Sequence, residues 1–341
     1  MNLNTPDWII ASQQPNTTSF QEAWDLHLTD LSGTHSLWLR FDLLVSGNGF
    51  KRIAEVWATY FNRTPGAPEV RKTSIRQTHD LREFSFNPGA SPRIRIGDCE
   101  LGALESRGQV QSKGQAISWD LRMIPRTEIG YDMVPAPLKR AHLVSNALDT
   151  SNADLLFNGT LRINGEEIVL REAPGIQNHH SGLRSALDWT WAHCNQFRNE
   201  QGAEVPFVFE GITARAPLLG GLVAPRVKAF VFHYQGRTHA FHSLRDFLHI
   251  TSNSSLNKWT FKAERGELSF RGEITAEHKA FAGQTHEDTD GSLIYAACAA
   301  FADLKIHVYR GGKLELSLMA PAGASLEVAD RERNPYVSLL V

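Results

Sequence analysis

The sequence predicts an all-β protein built as two barrel- or sandwich-like lobes with a few short helices. Three observations carry this expectation. Apolar and polar residues alternate in short runs, the two-residue period of a half-buried strand. Turn pairs separate many of the runs: Lys113-Gly114, Asn164-Gly165, Gln235-Gly236 and Gly311-Gly312 are suited to the positive φ that tight hairpins require. Helical periodicity is scarce, and strands repeating every ~8–12 residues favour a sandwich or barrel over a βαβ sheet.

In chain order, His35 to Val45 (HSLWLRFDLLV) begins the pattern, and Ile53 to Phe61 follows a Ser-Gly-Asn-Gly turn. In the second run Ala54, Val56, Ala58 and Tyr60 share one face, while Glu55, Trp57, Thr59 and Phe61 share the other. Further strands are expected at Arg71–Gln77, Arg93–Ile96, Ala103–Gln109, Gln115–Arg122, Leu155–Ile163 and Glu167–Arg171. The second half continues with Val205–Ala214, Val227–Tyr234, Arg237–Phe241, Lys258–Glu264, Leu268–Thr275, Lys305–Tyr309 and Lys313–Met319. Helices are expected at Ser243–His249, Leu293–Ala302 and, more weakly patterned, Thr18–Trp24. The stretch Pro125 to Ala153 is the least regular and reads as a connection packed on the surface.

At 341 residues the chain suits two domains, although a single large β domain is also compatible with that length. Hydrophobic residues at 42% and charged residues at 21% exclude a disordered chain. A formal net charge of -2 supplies no basic field for a nucleic-acid backbone, so no nucleic-acid partner is expected. No run approaches the ~20 apolar residues of a membrane span, and the first residues lack the pattern of a signal peptide. Three cysteines far apart in sequence, Cys99, Cys194 and Cys298, suit a reducing cytoplasm better than a disulfide framework. The oligomeric state is open.

Several chemistries lack their motifs. There is no G-x-G-x-x-G opening a helix, no Walker loop, no C-x-x-C, no H-E-x-x-H and no G-x-S-x-G elbow, which sets aside nucleotide-dependent enzymes, common zinc sites and α/β-hydrolases. No cofactor and no metal are expected.

The segment Asn178 to Phe197 concentrates three histidines, two tryptophans, an Asp and an Arg. As a strand, Asp188–Phe197 places Trp189, Trp191, His193, Asn195 and Phe197 on one face, with Thr190, Ala192, Cys194 and Gln196 on the other. A helix would still align Trp189, His193 and Phe197, but the segment has few strong helix formers. Large aromatic walls with a few placed polar groups are what a ligand cavity needs. Indoles on one strand face are also ordinary core, and a buried His is commonly a hydrogen-bonded filler.

The order H-x-x-G (His179 to Gly182), W-x-W (Trp189 to Trp191) and a downstream Asn195 and Phe197 resembles the AttH/CrtC-like, lipocalin-related superfamily. Leu37-Trp38-Leu39-Arg40-Phe41, Ala54-Glu55-Val56-Trp57-Ala58 and Phe157 to Glu166 match other stretches of it. The chain departs at Ser181, where the family often carries Trp. The resemblance implies two lipocalin-like lobes, taken as residues 1–175 and 176–341, and acid-initiated hydration, isomerisation or cyclisation of an isoprenoid-like or polyketide-like small molecule. A carboxylic acid or imidazolium would protonate a double bond while aromatic faces stabilise the cation. On this resemblance His193, Asp188 and His179 are the candidate catalytic residues. Trp189, Trp191, Asn195, His180, Arg184 and Trp57 are the candidate contacts to a hydrophobic ligand. A non-catalytic carrier of a lipid or pigment shares the same pocket. A carbohydrate-active sandwich would need paired carboxylates, and no pair singles itself out.

His233, His239 and His242 cluster near the Gln235-Gly236 hairpin. His239 and His242 point to opposite faces of a strand, while His233 and His239 could be neighbours across the hairpin. His286-Glu287-Asp288-Thr289-Asp290-Gly291 is an acidic turn without calcium-loop spacing.

Overall fold

The structure is a computed structural model and describes residues 19–64, 69–87, 93–134, 146–216, 223, 225–243 and 245–341. Two antiparallel sheets of twelve strands each make up the fold. The first contains β1 (Phe20–Thr29), β2 (His35–Val45), β3 (Arg52–Arg63), β4 (Val70–Asp80), β5 (Phe84–Phe86), β6 (Ile94–Ile96), β7 (Cys99–Leu101), β8 (Glu105–Ser112), β9 (Gln115–Pro125), β10 (Tyr131–Asp132), β11 (Asn146–Ile163) and β12 (Glu166–Gly182). The second contains β13 (Asp188–Cys194), β14 (Phe197–Asn199), β15 (Glu204–Val205), β16 (Phe207–Arg215), β17 (Val227–Tyr234), β18 (Arg237–Phe241), β19 (Ile250–Ser254), β20 (Lys258–Arg265), β21 (Leu268–Thr275), β22 (Ala282–Glu287), β23 (Leu293–Arg310) and β24 (Lys313–Asp330).

Each sheet curls into a nearly closed barrel, giving the all-β, two-lobed, lipocalin-like fold. Strand order is β4-β3-β2-β1-β12-β11-β9-β8-β7-β6-β5 in the first sheet and β18-β17-β16-β13-β24-β23-β21-β20-β19 in the second. The two orders are equivalent: in each, the first strand lies beside the last, and the last beside the next long strand before it. The halves therefore share a topology that no residue-by-residue repeat reveals. The expected boundary at 175/176 falls inside β12, and the chain crosses between sheets from Gly182 to Asp188.

Hairpins form where turn pairs predict them. Asn164 and Gly165 both take positive φ, 53° and 91°, the geometry that matches strand twist. Alternation sorts the faces. Leu37, Leu39 and Phe41 of β2 and Ala54, Val56 and Ala58 of β3 fill the first barrel. Phe207, Phe209, Phe230, Phe232, Phe261 and Phe270 fill the second, with rings stacked as closely as 4.8 Å between Phe230 and Phe261.

Four expectations fail here. Leu293–Ala302 is not a helix but the start of β23. From Ile294 to Ala302 nearly every residue is buried, since one face packs in the second barrel and the other in the seam between lobes. A strand buried on both sides shows a continuous apolar run that periodicity cannot separate from a helix. Phe20–Trp24 is likewise strand, part of the fully buried β1; Thr18 lies outside the described residues. At 243–249 only Asp246–His249 is helical, as one 3-10 turn, and residue 244 lies outside the described residues. The stretch Pro125 to Ala153 is not a plain surface connection: Ile129, Met133 and Ala153 are buried and β10 pairs with β11, while residues 135–145 lie outside the described residues.

Candidate functional site

The faces turned away from the barrel cores meet in the seam. Register places His180, Ala23, Asp42 and Glu55 in one row across β12, β1, β2 and β3. The next row is Asn178, Asp25, Arg40 and Trp57, and the one after it Ile176, His27, Trp38 and Thr59. From the second sheet come Trp189, Trp191 and His193 of β13, whose partners on β24 include Glu327. Gln284 of β22 donates to Thr59 Oγ1 at 2.8 Å, one of the bonds joining the lobes.

Between these faces lies a cavity of about 220 Å³. The first sheet contributes Asp25, His27, Arg40, Asp42 and His180 to its wall. The second contributes Trp189, Trp191, Ile212, His286, Ile294 and Glu327. The space is smaller than the roughly 300–1,000 Å³ of drug-sized sites, so it suits a compact molecule or one end of a longer one.

One side of the wall is ionic. Arg40 grips Asp25 with two bonds, Nε to Oδ1 at 2.7 Å and Nη2 to Oδ2 at 3.2 Å, the strong fork geometry. Its Nη1 donates to His286 Nδ1 at 3.1 Å. Burial works to raise the Asp25 pKa, but Arg40 and His180 outweigh it and hold the carboxyl well below the ordinary range. Burial drives the histidines the other way: His27 falls to about 3, and His180 and His286 also drop. All three are neutral around neutral pH.

Asp42 behaves oppositely to Asp25. Burial raises it to about 8, with Glu55 and Asp25 reinforcing the rise and Arg40 opposing it. No hydrogen bond among the described residues holds its carboxyl. It is therefore a neutral carboxylic acid near pH 7, in contact with the cavity.

The aromatic side is pinned by two buried glutamates. Trp189 Nε1 donates to Glu327 Oε1 at 2.5 Å, and Trp191 Nε1 donates to Glu210 Oε1 at 2.8 Å. Glu210 also accepts from Thr150 Oγ1 at 2.6 Å. Burial raises both glutamates. The Trp191 ring meets His27 edge-on at 5.0 Å, and His27 stacks on Trp38 at 4.0 Å. These contacts fix the indoles before any ligand arrives.

Of the residues expected from sequence, Trp189, Trp191 and His180 line the cavity. Trp57 backs it, stacked on His286 at 4.6 Å. The others lie elsewhere. His193 shares the face of the two indoles but bonds through Nε2 to Ala153 O at 2.9 Å, and burial lowers it to about 4; a neutral ring tied to backbone is no proton donor near neutral pH. Asn195 Nδ2 donates to Asp154 Oδ1 and Gly175 O. Asp188 is clamped by Arg215 and by Arg226 Nη2 at 2.6 Å. His179 points into the first barrel, where it pairs with Glu22 at 2.9 Å and stacks on Trp24. Arg184 pairs with Asp288 and Asp290. Phe197 changes face because the strand breaks after Cys194, and it packs in the second barrel. His233 lies opposite Thr238, not His239, and His239 instead stacks on Phe232 at 4.8 Å.

Sequence reasoning missed Asp25, Arg40, Asp42, His286 and Glu327. The signal was present in HSLWLRFDLLV: Trp38, Arg40 and Asp42 alternate with Leu37, Leu39 and Phe41. Charged residues in that pattern ordinarily mark a solvated face, and nothing local says that a second barrel covers it. Among the described residues no group of three His, Cys, Asp or Glu side chains is arranged to hold a metal ion, and no helix is long and apolar enough to cross a membrane.

No family model and no curated protein matches the chain. Solved structures do match. Kievitone hydratase from Nectria haematococca is 9% identical, with 94% of this chain and 91% of that one covered and a TM-score of 0.50. CghA, solved with Sch210972, is 9% identical, with 93% and 90% covered and a TM-score of 0.54. An AttH protein of Nitrosomonas europaea is 12% identical over 92% of both chains, with a TM-score of 0.46. At such identities the likeness is one of fold alone, shared with kievitone hydratase and CghA.

Proposed function

We propose that the protein is an enzyme that protonates a double bond of a largely apolar small molecule held between its two lobes, using Asp42 as the acid. The observation that carries this is the Asp42 carboxyl: burial keeps it protonated, no group among the described residues bonds it, and it borders the same cavity as the pinned indoles of Trp189 and Trp191. Acids poised near the working pH are the efficient general acids.

The step balances without an outside reagent. Asp42 gives its proton to one alkene carbon, forming a C–H bond and leaving a cationic carbon and a carboxylate. The indole faces stabilise the charge. Water then adds and returns a proton to Asp42, which is hydration. Loss of a neighbouring C–H proton to the carboxylate gives an isomer, and attack by a second double bond closes a ring and moves the cation to a new carbon, which then loses a C–H proton to the same carboxylate. One protein of the same fold is named a hydratase, which supports this class. Stacked phenylalanines occupy the interior of the second barrel, which speaks against a carrier holding cargo in that lumen.

The test is turnover in D2O. Compounds released from the purified protein by solvent extraction are identified by mass spectrometry and returned to it. Wild type should place deuterium on carbon in the product, and Asp42→Asn should lose that incorporation by at least about a hundredfold, the usual size of general acid catalysis. Equal incorporation by the two proteins removes Asp42 as the donor. Retention of a ligand that never changes makes the protein a carrier.

A further inference from the structure

We propose that the unbonded end of the Arg40 guanidinium docks a carbonyl or enol oxygen of the substrate, so that the reacting double bond is one conjugated to such an oxygen. This rests on the proposed Asp42 chemistry and narrows its substrate.

The argument is a count of donors. A guanidinium has five N–H groups and no acceptor. Asp25 takes the Nε proton and one on Nη2, and His286 takes one on Nη1. Among the described residues nothing accepts the remaining N–H on Nη1 or on Nη2. The side chain is only 17% exposed and forms part of the cavity wall. Since Arg40 can only donate, the nearer His286 nitrogen, Nδ1, is the acceptor, and the neutral ring carries its proton on Nε2. Donors in such a place bond water until a ligand arrives. A hydrocarbon displaces that water and returns nothing, whereas a ligand oxygen replaces the bond.

Charge narrows the choice further. Asp25 already neutralises Arg40, and Glu327 lies close enough to act on the same guanidinium. A substrate carboxylate would add a like charge beside these groups, and their repulsion would offset part of its attraction to Arg40. A neutral oxygen takes the two bonds without that repulsion. Register then links the oxygen to the chemistry. Arg40 and Asp42 sit on one face of β2 two residues apart, about 6.8 Å along the strand. An oxygen at the first and a protonated carbon near the second belong to one short conjugated unit.

Three probes test the proposal by calorimetry on the full chain: benzalacetone, an enone; phenylbutene, the same carbon skeleton without the oxygen; and cinnamate, its carboxylate counterpart. Wild type should bind the ketone roughly ten- to a hundredfold more tightly than the hydrocarbon, the range of a hydrogen bond to a charged group. It should also bind the ketone more tightly than cinnamate. The carbonyl carbon of labelled benzalacetone should move downfield on binding. Arg40→Lys keeps a charge for Asp25 but loses the fork, and the preference for the ketone should fall at least about fivefold. Wild type alone decides the matter if that variant does not fold. Equal affinities for ketone and hydrocarbon, tightest binding of cinnamate, or no binding of the ketone up to its solubility overturns the proposal. In Asp42→Asn the preference should persist. Loss of the preference in wild type with Asp42-dependent deuteration intact overturns only the docking site, and the reverse outcome overturns only the acid.

Discussion

Replacing Asp42 by Asn should make the protein more stable as the pH rises, while removing its chemistry. The folded-state pKa lies near 8 against an ordinary value of 3.8. A carboxyl raised on folding binds its proton more tightly in the folded state. That contribution is fully present below about pH 4 and is lost as the pH climbs through about 8. Wild-type stability should therefore fall across this window by up to about 1.4 kcal/mol per pH unit from this one group. The whole shift corresponds to roughly 5–6 kcal/mol as an upper bound, and water reaching this partly exposed side chain reduces it to about 2–3 kcal/mol. Asn has nearly the same shape and does not titrate. The stability difference between variant and wild type should be near zero at pH 4, grow through pH 6 and 7, and level off above about pH 8. Urea unfolding followed by tryptophan fluorescence at half-unit pH steps measures this directly. A difference that stays flat from pH 4 to 9, or an Asn variant that is less stable at pH 8, would refute the view of Asp42 as a neutral acid held in a strained position.

Turnover should decline as pH rises through about 8 in the free enzyme, because the acid loses its proton there; a pH profile of kcat/KM that is flat to pH 9.5 contradicts the assignment. Trp191→Phe keeps the ring but removes the donor to the buried Glu210, and should lower unfolding stability by about 1–3 kcal/mol in thermal or urea melts. Gly175→Ala should be severely destabilising, by more than about 3 kcal/mol, because its Cβ would stand 2.1 Å from the His27 carbonyl oxygen; circular dichroism melts report it. Asp188→Asn should leave Arg215 and Arg226 without their shared carboxylate and lower stability by about 1–3 kcal/mol, read in the same melts.

Much of the fold was legible because strands announce themselves locally. The alternation in β3 sorted Ala54, Val56, Ala58 and Tyr60 from Glu55, Trp57, Thr59 and Phe61, and the structure keeps that partition. Asn164-Gly165 named its own turn. Two of the misjudged elements, β1 and the start of β23, border the seam. Tyr295 to Ala302 is rich in alanine, a helix former, yet two barrels need small residues on both faces of the strand between them. Trp189 and Trp191 were legible as a paired aromatic face, but the assignment of His193 and Asp188 was not secure. Which polar neighbour satisfies them depends on Ala153, Arg215 and Arg226, residues distant in sequence that only folding brings near.

By itself the sequence determined the strand-rich character, the turns, the faces of the regularly alternating strands and the aromatic pair that borders the cavity. These follow from the fixed two-residue period of an extended chain and from the φ preferences of a few residues. Only the tertiary structure decided that Asp25, Arg40, Asp42, His286 and Glu327 share one hollow, and that Asp25 is ionised while Asp42 keeps its proton. The reason is that an ionisable group takes its charge state from whatever lies within a few ångströms in space. For Asp42 that surrounding is the seam: Arg40, Glu55 and Asp25 of its own sheet, and a cavity whose far wall the second barrel supplies.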